Sequence, residues 1–236
     1  MKNAMSLVFS LLAATVVATG LGCEEAGPTS TSTSAMSRDT ASEEAEIRGV
    51  FEAYRQAVLD RDGLTAVGLV SQSTLTYYDR GVDWILHADE AETKALSLLD
   101  RFLVVITRHR IPADELRTMT GRDLCVVGVD RGWTSDESTS AMRMGDLKVF
   151  NRSAKGTLVT NEGRAPDLVQ FDLEAGSWKL DLIPMLRVAE PGMKQIIEQT
   201  GMTENEFLFF AAGMDSGGTP TSAIWQPIVA PATEAP

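Results

Sequence analysis

Leu147-Lys148-Val149-Phe150, Thr157-Leu158-Val159-Thr160, Leu168-Val169-Gln170-Phe171 and Trp178-Lys179-Leu180-Asp181-Leu182 are four short runs rich in β-branched, aromatic and other apolar residues. Turn-forming residues separate them: Ala154-Lys155-Gly156, Asn161-Glu162-Gly163 and Glu174-Ala175-Gly176. Runs of this length with such punctuation predict an antiparallel meander of about four strands, one face on a core and the other in solvent.

On either side the period changes from two to 3.6. Upstream, Thr40-Ala41-Ser42-Glu43 reads as a capping box, and Ile47, Val50, Phe51, Tyr54, Ala57 and Val58 follow at helical spacing. Asp60-Arg61-Asp62-Gly63 is expected to end that helix, the glycine taking the left-handed cap. A short helix through Leu64, Val67, Leu69 and Val70 comes next, then one through Leu75, Tyr78, Val82, Ile85 and Leu86, weakened by Gly81. A stronger helix starts near Asp89 and runs through Leu98, Phe102 and Ile106, and Pro112 opens a brief helical turn. Residues 122–129 are too short a run for periodicity to separate strand from helix, and the reading leans to helix. The polar run from Asp130 to Ser140, with Trp133 as its one aromatic, reads as a connection. Downstream, Met193, Ile196 and Ile197 form one stripe, and Thr203-Glu204-Asn205-Glu206 caps a last helix bearing Phe207, Leu208 and Phe210.

Helices, then a meander, then helices define an α+β domain over residues 41–214, with N-terminal helices packed on a curved antiparallel sheet and additional C-terminal helices. Residues 26–37, AGPTSTSTSAMS, cannot bury enough apolar surface to offset ordering entropy, so residues 23–40 read as a flexible tether. Residues 215–236, with Pro220, Pro227, Pro231 and Pro236, read as an extended Gly/Pro-rich tail on which Ile224, Trp225 and Ile228 are candidates to dock.

The chain has 236 residues, of which 44% are hydrophobic, enough for a substantial core. Its net charge of −12, from 33 acidic and 21 basic residues, repels phosphate backbones and argues against nucleic acid as a partner. It also argues against charge-driven adhesion to anionic lipid. Residues 1–22 follow the charged, apolar, small-residue order of an export signal: Lys2, the uncharged stretch around Leu7 to Ala14, and Gly20-Leu21-Gly22 before Cys23. The closing cysteine resembles a bacterial lipoprotein signal, with Leu21 one place later than that family prefers. The resemblance implies cleavage before Cys23, acylation of its thiol, and anchoring in the cell membrane or outer membrane. Two acyl chains anchor durably where one is marginal.

Glu44-Ala45-Glu46-Ile47-Arg48-Gly49-Val50-Phe51-Glu52-Ala53-Tyr54, Asp60-Arg61-Asp62, Leu69-Val70-Ser71 and Gly176-Ser177-Trp178-Lys179-Leu180-Asp181-Leu182 together resemble the NTF2-like superfamily, which includes SnoaL-type cyclases and ketosteroid isomerases. The resemblance covers residues 41–182. It implies a sheet wrapped around a long helix, with a conical pocket. The helical stretch between Leu75 and Gly121 stands where that family has early strands.

Chemistry-bearing motifs are sparse. His87 and His109 lack metal-type spacing and read as a solvated helix end and a surface residue. There is no glycine-rich phosphate loop and no Gly-x-Ser-x-Gly. No metal or other cofactor is expected. Cys125, in an apolar run, reads as a small buried hydrophobe. Asp181, alternating with Trp178, Leu180 and Leu182, is expected to face solvent. Tyr54, Tyr78 and Trp84 are the candidate ligand-binding residues, their rings suited to the wall of an apolar pocket. The expected function is a membrane-anchored envelope lipoprotein that binds a small apolar ligand or an envelope protein. The alternative is an isomerase-, cyclase- or hydrolase-type enzyme acting on a small apolar substrate.

Overall fold

The structure is a computed structural model describing residues 40–214 and 218–229; the leader, the tether and Cys23 lie outside the described residues. Helix α1 (Thr40–Leu59) leads into α2 (Gly63–Leu69), α3 (Gln72–His87), α4 (Glu90–Ala95) and α5 (Leu98–Arg110). Three short elements follow: α6 (Ala113–Leu116), α7 (Gly121–Asp130) and α8 (Asp136–Ala141). The strands are β1 (Arg143–Val149), β2 (Ser153–Thr160), β3 (Gly163–Glu174) and β4 (Ser177–Asp181). Then come α9 (Ile183–Arg187), α10 (Ala189–Thr200), α11 (Glu204–Gly213) and a 3-10 turn (Ser222–Trp225). The fold is α+β, as the alternating and helical periods predict.

Local chemistry sets the helix starts. Capping boxes close α4 (Asp89 with Glu92), α7 (Thr120 with Asp123) and α11 (Thr203 with Glu206). Side chains of Asp62, Ser71, Ser97 and Ser135 accept from the first-turn amides of α2, α3, α5 and α8. The end of α1 departs from expectation. Arg61, not Gly63, takes the left-handed conformation (φ 59°), while the Asp62 amide donates to the Ala57 carbonyl and the Arg61 amide to Val58. Gly63 opens α2 and serves a different need: a Cβ there would stand 2.4 Å from the Val126 carbonyl oxygen, so α2 and α7 touch backbone to backbone.

The sheet runs β1-β2-β3-β4, every pair antiparallel. Glu174 faces Ser177 across a two-residue turn in which Ala175 (φ 47°) and Gly176 (φ 86°) both lie in the left-handed region, the requirement of a type I′ hairpin. Thr160 likewise faces Gly163 across Asn161-Glu162. The expected turn at Ala154-Lys155-Gly156 is wrong. These residues lie inside β2, and the chain reverses earlier, where the Phe150 amide donates to the Ser153 carbonyl. Gly156 marks an irregularity in the register with β3, where a Cβ would press to 3.0 Å from the Met144 sulfur.

One face of the sheet packs on α1. Ile47 and Phe51 meet Ala154, Leu158, Val169, Phe171, Trp178, Leu180 and Met185 in a single buried cluster. Each large side chain removed from water here contributes about 1.5–3 kcal/mol. Arg48 ties α1 to the irregular part of β1, donating to the carbonyls of Met144 (3.2 Å) and Gly145 (2.9 Å). On the other face Asp181, partly buried, accepts from the Thr74 hydroxyl (3.2 Å) and the Ile183 amide (3.0 Å), so it joins α3 to the end of β4 instead of facing solvent freely.

Helices α5, α10 and α11 form a second body of core, and α3, α5, α6 and α7 a third around Ile85, Val104, Leu116 and Leu124. Leu98, Leu99, Phe102 and Ile106 of α5 pack against Met193 of α10, Phe207 and Leu208 of α11, and Trp225. Trp225 stacks on Phe209 with centroids 5.6 Å apart, so the described part of the C-terminal segment lies on the domain. Arg108 holds it there, donating to the carbonyls of Ile85, Ala88, Trp84 and Ile224.

Candidate ligand cavity

Helix α7 approaches its neighbours at its two ends. At its start the Gly121 amide donates to the Asp79 carboxylate on α3 (2.8 Å), and a Cβ on Gly121 would fall 2.2 Å from the Asp79 backbone nitrogen. At its end the Asp130 carboxylate accepts from the Gly63 amide of α2 (2.7 Å). Between these clamps α7 presents Leu124, Cys125, Gly128 and Val129, one helical face, to a cavity of about 90 Å³. Tyr54 of α1, Tyr77 and Tyr78 of α3, Phe102 of α5 and Met193 of α10 complete much of the wall. An adjoining cavity of about 80 Å³, between α1, α8 and α9, shares Tyr54, Tyr78, Thr134, Leu182 and Leu186 with the first.

No residue lining the larger cavity carries a charge at neutral pH. The residues with polar side-chain groups on its wall are the three tyrosines, Cys125, Thr134 and Trp133. The Tyr77 hydroxyl donates to the Asp100 carboxylate at 2.8 Å, and its ring meets Tyr78 edge to face with centroids 5.4 Å apart. The hydroxyls of Tyr54 and Tyr78 bond to no group among the described residues. Burial pushes the Tyr54 phenol up, and negative charge on Cys125 would push it further. Burial also raises Tyr78, which Cys125, Tyr54 and Tyr77 raise in turn. Tyr77 is raised by burial first and then by the Asp100 carboxylate. The Cys125 thiol is pushed up to about 12, mainly by burial and then by Asp79. Phenols and thiol are therefore protonated at neutral pH and present O–H and S–H donors.

Of the candidates read from sequence, Tyr54 and Tyr78 meet in this cavity and Trp84 is elsewhere. Trp84 stands six positions after Tyr78, which at about 100° per residue turns it about 240° around α3. Its ring packs, half buried, with the cluster of Val82, Ile85 and Leu116. Cys125 is partly buried on the cavity wall, a place that the spacing of Leu124, Cys125, Gly128 and Val129 could have indicated. Trp133 is buried and lines the same cavity, because Gly132 (φ 64°) turns the chain back after α7 and the Trp133 amide donates to the Gly128 carbonyl. His87 is exposed at the end of α3, and His109 lies by the Gly218 carbonyl at 3.1 Å, in a broader, more open groove against the C-terminal segment.

Compared with known proteins, the chain matches no protein family, no curated protein and no solved structure.

Proposed function

We propose that this chain is an exported lipoprotein, acylated on Cys23, whose divergent NTF2-like domain binds a small apolar ligand at the envelope membrane without transforming it. The observation that carries the reading is the uncharged cavity in which the hydroxyls of Tyr54 and Tyr78, with that of Thr134, are engaged by no described group. Apolar walls with a few convergent polar groups are the general form of a small-molecule site. Catalysis by proton transfer needs a group that titrates near working pH, whereas burial holds the phenols and the thiol protonated. The NTF2-like assignment is supported by α1 lying across a four-stranded meander. It departs from the expected cone in that Phe171 and Trp178 fill the sheet face and the open space lies among the helices.

The test is to express the full chain in a bacterial host and compare native and denatured masses of the detergent-extracted protein. The expected result is a denatured mass equal to residues 23–236 plus acyl chains, and a native mass with a further component that denaturation releases. Cys23→Ser is expected to lose the acyl mass and to move the protein from the membrane to the soluble fraction. A bare polypeptide in both spectra, together with no response of the cavity methionines to apolar probes, would overturn the ligand-binding reading.

A further inference from the structure

We infer that the ligand is an uncharged molecule carrying one hydrogen-bond acceptor, such as a ketone or ester carbonyl, between two short apolar arms, with both Tyr54 and Tyr78 donating to that acceptor. This rests on the ligand-binding reading above and specifies its chemistry.

Tyr54 and Tyr78, together with Thr134, line both cavities, so these hydroxyl-bearing residues stand where the two spaces meet and not at a blind end. On one side the walls are Leu99, Phe102 and Met193; on the other they are Phe51, Met142 and Met185. A molecule spanning both therefore puts apolar groups at its ends and its polar group in the middle. The three tyrosines differ in what their hydroxyls do. Tyr77 is committed to Asp100 at 2.8 Å, whereas Tyr54 and Tyr78 have no bond to a described group. A carbonyl oxygen has two lone pairs and accepts two such donors. Both phenols are held protonated, so they meet the ligand as donors.

Charge selects against the ionised alternatives. A carboxylate or an ammonium in the larger cavity would be desolvated without a charged partner, which disfavours the ionised form strongly. In the smaller cavity the one charged wall residue is Arg55, whose Nε and Nη2 are engaged by the Glu52 carboxylate at 2.9 and 2.7 Å. Neutral lipophiles enter freely and fatty-acid anions do not.

The experiment titrates 4-heptanone, heptane and heptanoate into the full chain carrying methyl-labelled methionine, following the Met193, Met142 and Met185 signals. The expected result is that 4-heptanone shifts methyls on both sides of the tyrosines and binds about ten-fold more tightly than heptane, the scale of two added neutral hydrogen bonds. The double variant Tyr54→Phe/Tyr78→Phe is expected to reverse the preference, heptane binding more tightly than 4-heptanone because the carbonyl then enters without a donor, and heptane shifts of the Met193, Met142 and Met185 methyls are the evidence that the cavity persists. Equal binding of heptane and ketone by the unaltered protein, or tighter binding of heptanoate, would overturn the inference and leave the ligand-binding reading standing. If none of the three probes moves a cavity methionine, both fall.

Discussion

Where α1 meets the sheet, Ile47, Phe51, Phe171, Trp178 and Leu180 are almost wholly buried and close against one another. Where the same helix passes α3 and α7, one turn further along, it meets a cavity of about 90 Å³ bordered by Tyr54, Tyr78 and Cys125. The difference follows from what each interface can do with its side chains. Strand residues alternate, so β3 and β4 send Val169, Phe171, Trp178 and Leu180 to one face in a dense layer. Helix α7 is held against its neighbours by backbone approach at Gly63 and Gly121, and its middle is spanned by small residues, Cys125 and Gly128. Close clamping at the ends and small side chains in between leave space. The dense half supplies stability, and the porous half holds the space in which the proposed ligand would sit.

The largest effect that tests this division is expected from Trp178→Ala. Truncating a fully buried aromatic costs about 3–5 kcal/mol, here offset slightly because the indole Nε1 is buried without a hydrogen-bond partner among the described residues. Denaturant unfolding of the full chain measures it, and a loss below about 1 kcal/mol would break the comparison.

Next in size is Gly121→Ala. The added Cβ would sit 2.2 Å from the Asp79 amide nitrogen, so α7 must move from α3. Overpacking of this kind costs about 1–3 kcal/mol, and 4-heptanone binding is expected to weaken with it, because the cavity depends on that clamp. Unchanged ligand affinity in a destabilised variant would show that the cavity does not depend on the position of α7.

How far this arrangement could be read in the sequence depends on which residues carried a local signal. Asn161-Glu162 and Ala175-Gly176 form turns as expected because hairpin turns demand particular backbone angles, and those demands are local. Gly63 and Gly156 misled for the complementary reason. Each was read as a glycine that bends the chain, but one admits the backbone of α7 and the other admits Met144, and neither neighbour is close in sequence. Gly81, a poor helix former by its local propensity, is accommodated within α3, where a Cβ would approach Leu103 of α5 to 2.8 Å. The helices from Leu75 to Gly121 were legible through their period, except that the single helix expected from Asp89 through Ile106 is broken at Leu96-Ser97 into α4 and α5, where the Ser97 side chain caps a new start. Of the cavity, Tyr54 and Tyr78 were legible as residue types, while their meeting with Cys125 and Trp133 comes from the packing of α1, α3 and α7, which no spacing within one helix specifies.

A smaller effect concerns pH. The unfolded Cys125 thiol titrates near 9.0 and the folded one at about 12. Between those values the unfolded chain has released a proton that the folded chain keeps, so stability falls as pH rises, by at most about 1.4 kcal/mol per pH unit. Below that window the group adds no slope. The raised tyrosines add their own losses above pH 10, which leaves pH 9 to 10 as the interval belonging to the thiol. Cys125→Ala is expected to flatten the stability curve there. An unchanged slope would place the thiol in solvent and not on the cavity wall.

The smallest effect separates the two halves most cleanly. Gly128 lies within α7 on the cavity wall, and a Cβ there would meet only the Trp133 ring, at an ordinary 3.7 Å. Gly128→Ala is therefore expected to stabilise the fold by about 0.5–1 kcal/mol, since alanine loses less conformational freedom in a helix than glycine does. The same methyl occupies part of the space that a ligand would use, so 4-heptanone binding is expected to weaken while unfolding requires more denaturant. In a region where packing served stability alone, filling space would improve both quantities or neither. Opposite signs in one variant would mean that a glycine which costs stability at this position keeps the cavity open.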